Sequence, residues 1–261
     1  LQKKFLEETN LELSRSRIIN HGRSKPFGYS GDFQMIDWTY TKMVDSTDPR
    51  GEMWDRFYHR QIAPLAVCAR KDRFGDVLRS VSLSAKSKIS VLNVGSGPAR
   101  EILDGAIAAN LNPGDLRVIC LDADKVAIEY AKRLLGPSWE AHCHFEHRNA
   151  LRYRPRDSFD LVWSSGLFDY LDERLAIHLI KLLWGSVKVG GRMVIGNFAE
   201  THSTRSWIEW CGDWFLNHRD RDDMQRLTDG AGISDGNANI SHAVDEFRAV
   251  RYLELVKIAD G

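Results

Sequence analysis

A chain of 261 residues is long enough for one large domain, or for a domain with a substantial extension. Its 36 acidic residues balance its 36 basic ones, so no charge excess marks it for nucleic acid or an anionic membrane. The four cysteines (Cys68, Cys120, Cys143, Cys211) are scattered without a Cys-x-x-Cys pair, the usage of reduced thiols in a cytoplasmic protein rather than a disulfide framework or zinc site. No apolar run approaches the ~20 residues of a membrane span, and the N-terminus lacks a signal-peptide core.

Residues 1–87 read as mostly helical and are expected to form an N-terminal extension, serving as a lid or a homodimer surface. Leu6, Leu13, Ile18 and Ile19 give an approximate helical stripe before His21-Gly22. A turn-rich segment, Gly28-Tyr29-Ser30-Gly31-Asp32, follows, with Asp32 placed as the N-cap of a helix carrying Phe33, Ile36 and Tyr40. Another helical stretch starts near Glu52, and Pro64 should kink or restart it.

From Lys88 onward the chain alternates strand and helix, the pattern of an α/β parallel sheet. Ile89, Val91, Leu92 and Val94 form a short apolar run suited to a strand buried on both faces. The run breaks at Gly95-Ser96-Gly97, and Pro98 suits the first turn of a helix. Strand two is expected over Arg117–Leu121, strand three over His142–Glu146, strand four over Phe159–Trp163 and strand five over Arg192–Gly196. Helices should follow, one of them over Glu173–Val187. Residues 201–219 read as an inserted helix, with a further helix over Asp222–Gly230. The last two strands, near Ile240–Val244 and Val250–Ile258, are close enough to pair antiparallel. The domain is thus expected to span 88–261.

The glycine elbow is poorly made for phosphates. A dinucleotide fingerprint wants a third glycine at position 100, where this chain has Arg100, and Pro98 has no N–H to give. It better suits a ligand with an amino-acid end, whose ammonium wants carbonyl oxygens and whose carboxylate wants an arginine. S-adenosylmethionine (SAM) is such a ligand. Asp122, at the end of strand two and roughly 20–30 residues past the glycines, is placed to accept both ribose hydroxyls; Asp124 reads as a helix cap. Asn149-Ala150, after strand three, sits where an adenine edge would lie, and Ser165-Gly166 would border the same ligand.

Four stretches together resemble the successive motifs of class I SAM-dependent methyltransferases: Val-Leu-Asn-Val-Gly-Ser-Gly-Pro at 91–98, Leu-Asp-Ala-Asp at 121–124, Phe-Asp-Leu-Val-Trp-Ser-Ser-Gly at 159–166 and Val-Gly-Gly-Arg-Met-Val-Ile-Gly-Asn at 189–197. The resemblance covers about residues 88–258. It implies a Rossmann-like seven-stranded sheet with a reversed last strand, and a SAM site made of Gly95, Ser96, Gly97, Arg100, Asp122, Ala123, Asn149, Ala150, Ser165 and Gly166. Many family members carry Asp at the adenine position, so Asn149 departs from the pattern. Gly-Tyr-Ser-Gly-Asp at 28–32 and Gly-Pro-Ala-Arg-Glu at 97–101 resemble a narrower bacterial subgroup, associated with methyl ester formation on 3-hydroxy fatty acids in quorum sensing. More loosely, they resemble enzymes that cyclise SAM to azetidine-2-carboxylate.

Tyr29 and Asp32 are read both as a glycine-permitted turn with a cap and as a fold over the methionine end of SAM. Trp207, Trp210, Trp214 and His218 recur at helical spacing, which suits a core face or the roof of an acceptor pocket, where rings attract a sulfonium. Phe168 and Tyr170 are aimed the same way, and Tyr170 and Asn197 are candidates to contact the methionine nitrogen. His142, His144 and His147 cannot share one face of a strand, so no metal is expected. No Ser-His-Asp ordering offers a hydrolase nucleophile. The expected function is methyl transfer from SAM to a small molecule, a carboxylate fitting best because it needs no general base. Its rivals are SAM cyclisation to azetidine-2-carboxylate and methylthioadenosine, and a non-catalytic SAM-binding protein.

Overall fold

The computed structural model describes residues 1–259, so the last two residues of the expected 88–261 domain lie outside the described residues. Its axis is β1 (Ile89–Val94), in which all six residues are buried. A β-branched run with no polar alternation has no face to give to water and must be covered on both sides. β2 (Leu116–Asp122) and β4 (Phe159–Ser164) flank it in parallel, with Val91 opposite both Val118 and Leu161. β3 (Cys143–His147) and β5 (Val187–Phe198) extend the two wings in parallel. β7 (Val250–Lys257) runs antiparallel to β5 and pairs with β6 (Ala238–Val244) at the edge. The order is β3-β2-β1-β4-β5-β7-β6, the seven-stranded sheet of the class I methyltransferase fold. Chain direction across the sheet reverses between β1 and β4, and such a switch point opens a crevice at the strands' carboxyl ends.

Two cores cover the faces. Val91, Leu161, Trp163 and Val194 pack under α5 (Ile62–Ser82), α6 (Arg100–Ala108) and α7 (Lys125–Leu135). Leu92, Val94, Val162 and Ile195 pack under α8 (Glu173–Trp184) and α10 (Arg221–Gly230). Before α5 lie α1 (Gln2–Leu13), α2 (Arg17–Ser24), α3 (Phe33–Tyr40) and α4 (Pro49–His59). Their caps are local and polar. Ser16 accepts the Ile19 N–H and donates to the buried Asp55, while Asp48 caps α4 ahead of Pro49. Pro64 sits in the first turn of α5, where its missing N–H costs no helical bond.

Two boundaries differ most from the sequence expectation, and α8 also stops at Trp184, short of the expected Val187. β5 begins five residues early, because Gly190-Gly191 lies inside the strand. Gly190 takes φ +80°, and the pairing with β4 shifts register between Phe159 and Leu161. The helix expected over 201–219 is only α9 (Arg205–Cys211). Asp213 takes φ +49°, and the Trp214 N–H returns to the Ile208 carbonyl at 3.0 Å, which ends the helix.

α5 and α6 approach closely through small residues. A Cβ at Gly105 would stand 2.5 Å from the Phe74 ring, which itself packs edge-on against Trp163 at 5.3 Å. Gly105→Ala should therefore lower stability by about 1–3 kcal/mol, as overpacking does. Thermal unfolding of the variant would test this, and an unchanged or raised melting temperature would contradict the packing described.

Candidate functional site

The crevice at the carboxyl ends of β1, β2 and β4 is a cavity of about 760 Å³. Its floor begins where β1 ends. Gly95 and Gly97 take φ +66° and +48°, left-handed conformations that side chains resist, and a Cβ on Gly95 would come to 3.0 Å from Leu167. Asp122 closes the turn from below. Its Oδ2 accepts the Gly97 N–H at 2.8 Å, and its Oδ1 accepts the Asp124 N–H at 2.9 Å. Each carboxylate oxygen keeps acceptor capacity for a ligand. Burial raises the Asp122 carboxyl above its ordinary range, against the pull of these backbone bonds. Asp124 caps α7 through the Val126 N–H. Asn149 Oδ1 accepts the Leu151 N–H at 2.9 Å, which leaves its amide nitrogen without a partner among the described residues. Ser96, Ala123, Ala150, Ser165 and Gly166 also line the cavity.

The roof is built from three distant segments. The Tyr170 hydroxyl donates to the Ser30 carbonyl at 2.8 Å and accepts from Trp214 Nε1 at 2.9 Å. Ser30 in turn donates to the Asp213 carbonyl, and Lys25 pairs with the Asp213 carboxylate at 2.6 Å. Gly31 takes φ +69°, and a Cβ there would lie 2.3 Å from the Trp214 ring. The Tyr29 hydroxyl reaches Asp124 at 3.4 Å. Of the tryptophan stripe, Trp214 alone lines the cavity. Trp207 packs on Phe57 and Tyr58, Trp210 on Phe5, and His218 faces His202 at 3.2 Å. The stripe divides because Trp214 lies beyond the end of α9.

Three expected residues are engaged elsewhere and are not among those lining the cavity. Asp32, 1% exposed, caps α3 through the Gln34 and Met35 N–H groups and meets His21 Nε2 at 2.7 Å. Arg100 is bound by Asp37, which also accepts from the Tyr130 hydroxyl at 2.6 Å. Asn197 is buried, donating to the Phe198 and Asn217 carbonyls and accepting from Arg219. Phe168 points into the core rather than the cleft. His144 pairs with Glu146 and His147 with the Ala123 carbonyl. Among the described residues, no group of three or more His, Cys, Asp or Glu is arranged to hold a metal, and no helix is long and apolar enough to cross a membrane.

Arg70 and Glu101, to which sequence reading assigned no role, both line the cavity. Arg70, on α5, donates to Asp169 Oδ2 at 2.9 Å and lies over the Phe198 ring at 4.3 Å. Asp169 Oδ1 accepts the Phe198 N–H at 2.7 Å. Glu101, in the first turn of α6, accepts from the Asn93 amide at 2.7 Å through Oε1. Burial pushes its carboxyl up to about 7. A signal for Glu101 was present: it shares the inward face of α6 with Ile102, Gly105 and Ala106, whereas Arg100 lies on the side of the helix opposite the centre of that face. For Arg70 there was none, because only the fold brings α5 to this cleft.

Comparison with known proteins agrees with this architecture. Residues 91–191 match the family described as "Methyltransferase domain". No curated protein sequence matches the chain. Among solved structures, a possible exported protein from Bordetella parapertussis is similar over 99% of this chain and 97% of its own, at 19% identity and TM-score 0.73. Magnesium protoporphyrin IX methyltransferase (ChlM) from Synechocystis PCC 6803, solved with bound SAM, is similar over 87% of this chain and 97% of its own, at 15% identity and TM-score 0.53. The mitomycin 7-O-methyltransferase MmcR is similar over 87% of this chain and 60% of its own, at 14% identity and TM-score 0.56. At these identities the structural likenesses speak for fold. The chain thus folds as a class I methyltransferase, and its residues 91–191 match a methyltransferase domain.

Proposed function

We propose that the protein is a SAM-dependent methyltransferase acting on a small molecule, with SAM lying along the carboxyl ends of β1, β2 and β4. The observation that carries this reading is the Asp122 carboxylate. It is fixed by the Gly97 N–H at the end of β2 and opens onto a cavity that continues to Asn149. The residues fit the ligand: Asp122 for the ribose hydroxyls, the free Asn149 amide for an adenine edge, and the glycine elbow for close approach. Ala123, Ala150, Ser165 and Gly166 would wall the nucleoside. When bound, SAM supplies an electrophilic methyl on a sulfonium.

The chain's own part is then to align the two reactants and exclude water. The Tyr29, Tyr170 and Trp214 rings give a roof whose faces suit a sulfonium. Residues 1–87 would act as a lid, since the turn bearing Tyr29 belongs to them. Both phenols are held above their ordinary pKa, burial being the largest cause, and so keep their protons at neutral pH. They are poor bases. An acceptor already ionised, a carboxylate above all, would need none. Asp32, Arg100 and Asn197 would serve this site by positioning the turn, α3 and the β5 end. The free cysteines suit a cytoplasmic site of action.

Asp122→Ala should strand ribose hydroxyls at a cost of about 1–3 kcal/mol, or about 5- to 150-fold in SAM affinity. Calorimetry reads this directly, and unchanged affinity would remove Asp122 from the site. The reaction itself is read by chromatography. S-adenosylhomocysteine formed only when an acceptor is added supports methyl transfer. Methylthioadenosine and azetidine-2-carboxylate formed from SAM alone would establish cyclisation instead.

Gly31→Ala tests the roof. A Cβ there cannot coexist with the Trp214 ring, so the turn at 28–31 should lift from Tyr170. SAM affinity should fall at least tenfold while far-UV circular dichroism stays unchanged. Wild-type affinity would show that the roof takes no part in binding.

A further inference from the structure

The floor of the cavity holds more buried polarity than the fold uses. Glu101 is 6% exposed, and its Oε2 has no hydrogen-bond partner among the described residues. Arg70 is 5% exposed; one amino group is taken by Asp169, and its Nε has no such partner. Both side chains line the cavity, and Arg70 Nη1 stands 3.8 Å from where a Cβ on Gly166 would lie. They share a neighbourhood: the Tyr40 phenol, also in the lining, is pushed upward chiefly by burial and then by Glu101, and drawn downward by Arg70. An unpaired buried donor or acceptor costs on the order of 1–3 kcal/mol, more when charged. Two such groups of opposite sign facing one cavity are a mould for a molecule that carries both charges.

We propose that Glu101 and Arg70 form a clamp for an α-amino acid zwitterion, with Glu101 Oε2 receiving the ammonium and the Arg70 guanidinium the carboxylate. This rests on the reading of the cavity as a SAM site, and it assigns the amino-acid end to these two residues instead of Arg100 and Asp32. Glu101 stands four residues past Gly97, whose N–H is held by the ribose-side Asp122, so an adenosyl ligand fixed there extends its tail toward α6. Asn93 holds Oε1 and thereby aims Oε2. The clamp is a specificity device: it favours ligands with an intact amino-acid end over the bare thioether nucleoside.

The test compares S-adenosylhomocysteine, methylthioadenosine and decarboxylated SAM by calorimetry on the wild-type protein, alongside SAM. Glu101→Gln is isosteric, keeps the Asn93 bond, and is checked for folding by its melting temperature. Wild-type protein should bind S-adenosylhomocysteine at least tenfold more tightly than methylthioadenosine, and SAM at least tenfold more tightly than its decarboxylated form. Glu101→Gln should weaken S-adenosylhomocysteine at least tenfold and leave methylthioadenosine within twofold. Equal losses for both nucleosides, or none for S-adenosylhomocysteine, would overturn the Glu101 assignment. Equal affinity for SAM and its decarboxylated form would overturn that of Arg70. If wild-type protein binds none of the four, the adenosyl reading fails and takes the clamp with it.

Discussion

The buried ion pair between Arg70 and Asp169 is the joint on which the cleft depends. Arg70 comes from the helices that precede the sheet, and Asp169 from the turn after β4. Asp169 spends its other oxygen on the Phe198 N–H at the end of β5, and its carbonyl accepts the Asn217 N–H from the insert. Four segments that share no neighbouring sequence therefore meet at one residue, three of them at its carboxylate. Burial pulls that carboxyl upward, and Arg70 is the chief opposing charge. Removing one partner of such a pair strands a charge in the interior, at a cost of about 3–5 kcal/mol. The pair does not by itself make the protein stable, since desolvation offsets most of its attraction. It fixes where the helical layer sits, and so where the cavity wall lies.

A second polar junction fixes the same layer from the other side. Asp37 on α3 binds Arg100 on α6 and accepts from Tyr130 on α7. Because α6 and α7 follow the two strands that carry the glycine elbow and Asp122, this junction ties the layer's position to the elbow. The Arg100 side chain thus contributes geometry to the cleft without entering it.

How far the sequence could be read follows from the kind of constraint involved. The elbow at Gly95–Gly97 and the acid at Asp122 were legible because short range determines them: an apolar run, a break and a carboxylate at the next strand end. The succession of strands along the chain and the antiparallel last pair were legible for the same reason, whereas the order of strands across the sheet was not. Arg100 and Glu101 are neighbours on α6, so a single step of helical phase separates a side chain bound to Asp37 from one that lines the cavity. Asp32 illustrates a different limit. Its capping role was evident, but a buried partner, His21, takes its second oxygen, and only tertiary structure reveals that. The Trp207–Trp214 stripe presumed an unbroken helix, which the left-handed Asp213 interrupts.

The Tyr170 hydroxyl gives the roof a kinetic character. One oxygen donates to the Ser30 carbonyl and accepts from the Trp214 ring nitrogen, so both flanks of the cover, already joined to each other through Ser30 and Asp213, meet at a single atom. Rotation of that side chain would release the two flanks together, making opening a concerted step rather than a gradual peeling. A ligand beneath such a cover would have to wait for it to open, so the hinge would set an upper limit on how fast it leaves. Residence time would then respond to the residues of the hinge as well as to those that touch the ligand.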